Sequence, residues 1–168
     1  MQKRHFLKLG IVSAAVLALV GGGLALVNPG LQAAKLSSAG RMVFSAVGKA
    51  VLDGSLPKES KAQELALTGL LERIDSLVES LPAHAQAELS ELLAVLATGV
   101  GRRALAGLSP DWGDATVAQT QAALQDMRTS SLAMRQKAYH ALHDIVGGAY
   151  FSDASTWKQL GYPGPTKI

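Results

Sequence analysis

Apolar residues are distributed along this chain in two ways. Residues 9–27 form a nearly unbroken apolar run behind the basic stretch Lys3-Arg4-His5-Phe6-Leu7-Lys8. From residue 41 onward they recur instead every three or four positions, the spacing that lines one face of a helix. Between the two, Asn28-Pro29-Gly30 breaks the run and a small-residue linker reaches about Ser38. Val43, Val47 and Val51, with Phe44, predict a first helix that Asp53-Gly54 ends in the left-handed manner. Leu67, Leu70, Leu71, Ile74, Leu77, Val78 and Leu81 predict a second, with Glu64, Glu72, Arg73, Asp75 and Glu79 on its other face. Pro82 is placed to open a third, whose stripe of Leu89, Leu92, Leu93, Leu96 and Val100 runs until Gly99 and Gly101. Two more helices are expected over residues 114–127 and 131–149. Strand-like alternation is absent throughout, and the turn-rich tail beyond Tyr150 cannot be one long helix. The expected fold is all-α: a single domain of about five helices with an irregular aromatic C-terminal tail, preceded by an N-terminal signal or transmembrane helix.

The order of the first 27 residues is that of an export address. A basic start resists crossing the bilayer, an apolar segment partitions into it, and the remainder of the chain is delivered to the far side. Lys3, Arg4, Phe6, Leu7 and Lys8 resemble a twin-arginine translocation signal, with Lys-Arg in place of the arginine pair. A general secretory signal and a simple anchor are the alternatives. Good small-x-small cleavage sites are lacking, and the apolar run approaches the roughly 18 to 20 residues that span hydrocarbon. The expectation is therefore an uncleaved anchor at the bacterial inner membrane. Its N-terminus is cytoplasmic, because the first acidic residue is Asp53. Residues 1–34 are assigned to signal and linker, and residues 35–168 to the periplasmic domain.

That address also changes the charge balance. The chain has 16 Lys plus Arg against 13 Asp plus Glu, but three of the cations lie in the first eight residues. The exported part is neutral, so its basic character says nothing of nucleic acid, and no positive stripe with interleaved aromatics exists to bind it. Cysteine is absent, which rules out a thiolate nucleophile, Cys-ligated iron–sulfur or zinc, and a disulfide staple. Stability has to come from the core or from a partner.

The best constellation for chemistry is His140-Ala141-Leu142-His143-Asp144, with two histidines able to share a helix face. A metal site needs three or four ligands, and the remaining histidines, His5 and His84, lie elsewhere in the chain. A solvated or interface pair is the plainer assignment. Arg102 and Arg103, flanked by glycines, suit either a solvated loop or a carboxylate on a partner. Trp112, Tyr150, Phe151, Trp157 and Tyr162 are five of the eight aromatics and all lie in or beside loops. They suit docking of the tail, or anchoring to another chain. No cofactor site is apparent in this chain.

The tail, Ala149-Tyr150-Phe151-Ser152, then Trp157, then Gly161-Tyr162-Pro163-Gly164-Pro165, resembles the C-terminus of a known family. These are the small subunits of membrane-bound flavin-dependent dehydrogenases, of the gluconate 2-dehydrogenase subunit 3 type. Val51-Leu52-Asp53-Gly54-Ser55-Leu56-Pro57, Leu81-Pro82 and Gly101-Arg102-Arg103-Ala104-Leu105-Ala106-Gly107-Leu108 resemble its twin-arginine-leader members, while the absent cysteines depart from the classical gluconate and sorbitol enzymes, some of whose small subunits carry them. The resemblance implies a non-catalytic accessory subunit. It would export, anchor and stabilise a glucose–methanol–choline-type large subunit, which carries the FAD and oxidises an alcohol or sugar. Arg102, Arg103, Trp112, Tyr150, Phe151, Trp157, Tyr162, Pro163 and Pro165 are then the expected partner contacts. A stand-alone, membrane-tethered helical binding or scaffold protein is the alternative.

Overall fold

A computed structural model describes residues 28–164 of the chain. The signal residues Lys3, Arg4, Phe6, Leu7 and Lys8, the apolar run of residues 9–27, and Pro165 lie outside the described residues. Among those that are described, no helix is long and apolar enough to cross a membrane.

Five helices carry the domain: α1 (Ser38–Val51), α2 (Ser60–Glu79), α3 (Ala83–Ala97), α4 (Val117–Arg128) and α5 (Ala133–Phe151). The architecture is all-α in character, as the stripes of apolar residues predict. α1 lies at its centre and touches each of the other four helices. Val43, Phe44 and Val47 are fully buried there, packed with Leu70, Ile74 and Val78 of α2, Leu93 and Leu96 of α3, and Leu142 and Val146 of α5 in one core. Close approach of α1 to α2 depends on Gly48, where a Cβ would stand 2.8 Å from a Leu70 methyl.

The linker expected before α1 is instead a small antiparallel hairpin. β1 (Leu31–Gln32) pairs with β2 (Lys35–Leu36) in the register Leu31 with Leu36 and Gln32 with Lys35. Leu31 and Leu36 are buried in the core, and Gly30 N–H donates to the Ser90 carbonyl of α3 at 3.2 Å. The sequence boundary between residues 34 and 35 thus runs through an element that packs on the domain. Asp75, assigned above to the outer face of α2, lies under this hairpin. Its carboxylate accepts from Leu36 N–H at 2.7 Å and from the Arg41 guanidinium, tying β2, α1 and α2 together.

The caps account for the element ends. Ser37 accepts from Gly40 N–H to open α1, and Gly54 stands in the left-handed region (φ 82°) just after it. Thr116 and Gln119 form a reciprocal capping box that starts α4 at Val117, three residues later than its apolar spacing suggests. The α3 stripe is interrupted at Thr98, whose hydroxyl accepts from Gly101 N–H at 3.0 Å. A short helical turn, Gly99–Gly101, then widens into a single π-type turn, Arg102–Ala106.

Candidate functional site

The π turn decides where the chain goes next. Gly107 closes it in the left-handed region (φ 69°), and its N–H donates to the Arg103 carbonyl at 3.0 Å. This aims residues 107–116 back across α1. Two side chains fix that path from behind. The Arg102 Nε and Nη2 groups donate to the carbonyls of Leu108 and Ser109, both at 3.3 Å, and Nη1 pairs with Asp111 at 2.5 Å. A planar guanidinium spreads its donors over three nitrogens and so reaches three separated acceptors, whereas an ammonium donates from a single nitrogen. The Trp112 indole N–H donates to the Leu96 carbonyl at 2.7 Å, with the ring buried in the core.

These fastenings set the wall of a groove. Along α1, Ser38, Met42, Ser45 and Lys49 recur at i, i+4, i+7 and i+11, one narrow stripe on a helix whose other residues are buried, Arg41 and Val51 partly so. Opposite stand Trp112, Gly113, Ala115, Val117 and Thr120. The cavity between holds about 130 Å³. Its lining is mixed: Met42, Ala46, Trp112, Ala115 and Val117 are apolar, while Ser45, Lys49 and Thr120 are polar. Met42 is 44% exposed and Val117 36%, two of the six large apolar side chains that reach solvent among the described residues. The other four, Leu65, Val100, Leu132 and Tyr162, do not line it.

The residues singled out as partner contacts divide in two. Arg102 (4% exposed), Trp112 (2%) and Tyr150 (3%) are buried within the domain, each packed inside it rather than set on its surface. Each has a polar group that must be satisfied once desolvated, and each meets a backbone carbonyl; Tyr150 Oη donates to that of Ser55 at 2.9 Å. Arg103, Tyr162 and Pro163 are exposed, while Phe151 and Trp157 are half-buried. Around them the tail folds into an aromatic clip. The Trp157 indole N–H donates to the Phe151 carbonyl at 2.7 Å, and Tyr162 meets the Trp157 ring edge-on at 5.5 Å between centroids. Arg73 of α2 holds the clip's base, donating to the Ala149 carbonyl at 2.9 Å and pairing with Asp153 at 3.4 Å. The Asp153 carboxyl is held below its ordinary pKa by the Ser155 hydroxyl first, then by the Ser155 N–H and the Arg73 charge.

His140 and His143 flank Tyr139 on α5, with ring centroids 5.2 and 5.3 Å from it. His143 Nδ1 shares a hydrogen bond with Asp144 at 3.2 Å. Among the described residues, no three His, Asp or Glu side chains gather as a metal set.

Sequence reasoning missed Met42, Lys49 and Val117. The signal was present in the i, i+4, i+7, i+11 stripe, which interrupts a helix apolar on nearly every other position. Comparison with protein-family models, with curated proteins and with solved structures returns no match.

Proposed function

We propose that this chain is a non-catalytic accessory subunit. It exports, anchors and stabilises a flavin-dependent alcohol or sugar dehydrogenase at the periplasmic face of the inner membrane. The large subunit, of the glucose–methanol–choline type, holds the FAD and takes the hydride; this chain supplies location and grip. The basic-then-apolar order of the first 27 residues and the family resemblance of the tail support the assignment. The observation that carries it is how the chain employs its polar side chains. Arg102, Asp111, Trp112, Asp75, Arg41 and Arg73 hold backbone or one another, and the feature left open is a small groove of mixed polar and apolar lining on the central helix. Hydrogen-bonded groups of this kind fix shape, and shape is what a binding subunit contributes.

The test is recovery of the tagged full chain from mild-detergent membranes. A co-purifying polypeptide with flavin absorbance supports the proposal, and recovery without flavin counts against it.

One observation favours the alternative of a stand-alone tethered scaffold: the core closes on itself, with Phe44, Leu70, Ile74, Leu93, Leu96 and Leu142 all fully buried. Behaviour of the purified exported domain separates the two: an obligate subunit should aggregate or unfold alone, whereas a scaffold should be monodisperse and fold cooperatively.

A further inference from the structure

Resting on the reading of residues 9–27 as the membrane anchor, we infer that the domain meets the lipid surface with its hairpin end and turns residues 52–59 away from the bilayer. The apolar run ends at Val27, and the fold grips the chain almost at once. Gly30 N–H donates to the Ser90 carbonyl at 3.2 Å, and Leu31 N–H donates to the Ser90 hydroxyl at 3.1 Å. The Gly30 carbonyl accepts from Ser37 N–H at 3.0 Å. A Cβ on Gly30 would stand 2.4 Å from the Leu93 Cβ, and one on Gly40 2.5 Å from the Gly30 carbonyl oxygen. Gly30 is therefore wedged between α3 and α1, and only Asn28 and Pro29 separate it from the anchor. Three Cα steps reach at most about 11 Å, which leaves the domain no leash on which to turn.

Two helices decide which end is near. α1 begins at Ser38, beside Gly30, and its 14 residues carry Val51 about 20 Å away. α2 ends at Glu79, which pairs with Lys35 of the hairpin at 3.3 Å, and its 20 residues place Ser60 about 28 Å away. Residues 52–59 join those two far ends. Charge does not hold the near end to the bilayer: Lys35 and Arg41 are paired with Glu79 and Asp75, and Glu88 and Glu91 beside Ser90 are acidic. The tether holds it. Laying the domain along α2 would instead press Glu64 and Glu72, both exposed and outside any ion pair among the described residues, against lipid phosphates.

The chain has no cysteine, so a single fluorophore can be placed at Gln32→Cys in the hairpin or at Lys58→Cys in the far loop, both exposed positions. The full chain, purified in mild detergent with whatever it holds, goes into vesicles of phosphatidylethanolamine and phosphatidylglycerol that carry a nitroxide on some headgroups. Nitroxide quenching is short-ranged, so with the sites about 20 Å apart the Gln32 label should be quenched at least about threefold more than the Lys58 label. More phosphatidylglycerol should leave that ratio unchanged. An insert of about 20 Gly-Ser residues between Val27 and Asn28, spanning about 25 Å, should bring the ratio toward one without touching the domain. Equal quenching at the two sites, stronger quenching at Lys58, or a ratio indifferent to the insert would each overturn the inference, while retention in the vesicles kept the anchor. Loss of the chain from floated vesicles would overturn the anchor and the inference together. The expected ratio in a chain recovered without flavin keeps the inference and removes the dehydrogenase.

Discussion

The indole N–H of Trp112 donates to the main-chain carbonyl of Leu96 at 2.7 Å, inside the core. Leu96 belongs to the last turns of α3, where helical carbonyls run out of intrahelical donors. A side chain sixteen residues further on supplies one of them. The tryptophan that looks like an exposed anchor in the sequence is therefore a bolt that fastens the groove wall to the bundle.

Replacing it isolates the value of that bolt. Trp112→Phe keeps most of the ring and leaves the Leu96 carbonyl buried without a donor, an expected cost of about 1–3 kcal/mol. Urea unfolding checks it, with an unchanged m-value showing that the folded state stays compact. A loss below experimental error would show that the hydrogen bond carries nothing.

Arg102→Lys should act on the same wall through a different route. The ammonium keeps the charge beside Asp111 but donates from one nitrogen, where Arg102 reaches Leu108, Ser109 and Asp111 from three, so about 1–3 kcal/mol is lost. Amide exchange in residues 107–112 should quicken while that of α1 stays slow. Equal acceleration in both would mean that Arg102 supports the whole domain rather than this loop.

Much of this fold was legible in the sequence, and the exceptions have physical causes. The α2 stripe from Leu67 to Leu81 and the α3 stripe from Leu89 to Leu96 read directly, because each buries one face in a contiguous core. The hairpin did not. Its strands are two residues long, too short for alternation to register. Its turn residues, Ala33 (φ 49°) and Ala34 (φ 60°), are left-handed alanines where Asn-Gly would announce a turn. Burial of Asp75 was hidden for the same reason, since the unseen hairpin covers it beside Arg41 of α1. The groove required knowing that α1 is central. Its exposed stripe is an ordinary solvated face on a peripheral helix, and an opening on a buried one.

Asp75 therefore makes a direct test of the hairpin. Asp75→Ala strands the Leu36 N–H and frees Arg41, at an expected cost of about 2 kcal/mol, moderated because the partly exposed Arg41 regains water. Asp75→Asn retains one acceptor and should cost about half as much. Chemical denaturation of the two variants side by side gives the ratio. Equal losses would place the effect in the charge rather than in the hydrogen bond to Leu36.

The C-terminal clip carries a pH dependence with a defined sign. Asp153 is held below the ordinary 3.8, foremost by Ser155, so its folded-state pKa lies under the unfolded one. Its contribution to docking of the tail is fully present above 3.8 and fades as pH falls through the lower folded value. Carboxyl titration by NMR should show a midpoint below 3.8 that Ser155→Ala moves upward. A midpoint at or above 3.8 would contradict the arrangement.

The most direct measurement of the account as a whole is the composition of what this chain holds. The full-length chain, isolated from membranes in mild detergent, should bring down a second polypeptide with stoichiometric flavin absorbance, and alcohol or sugar oxidation should remain with that polypeptide when the two are separated. Substrate turnover by this chain alone, or a prosthetic group bound to it after separation, would contradict the account.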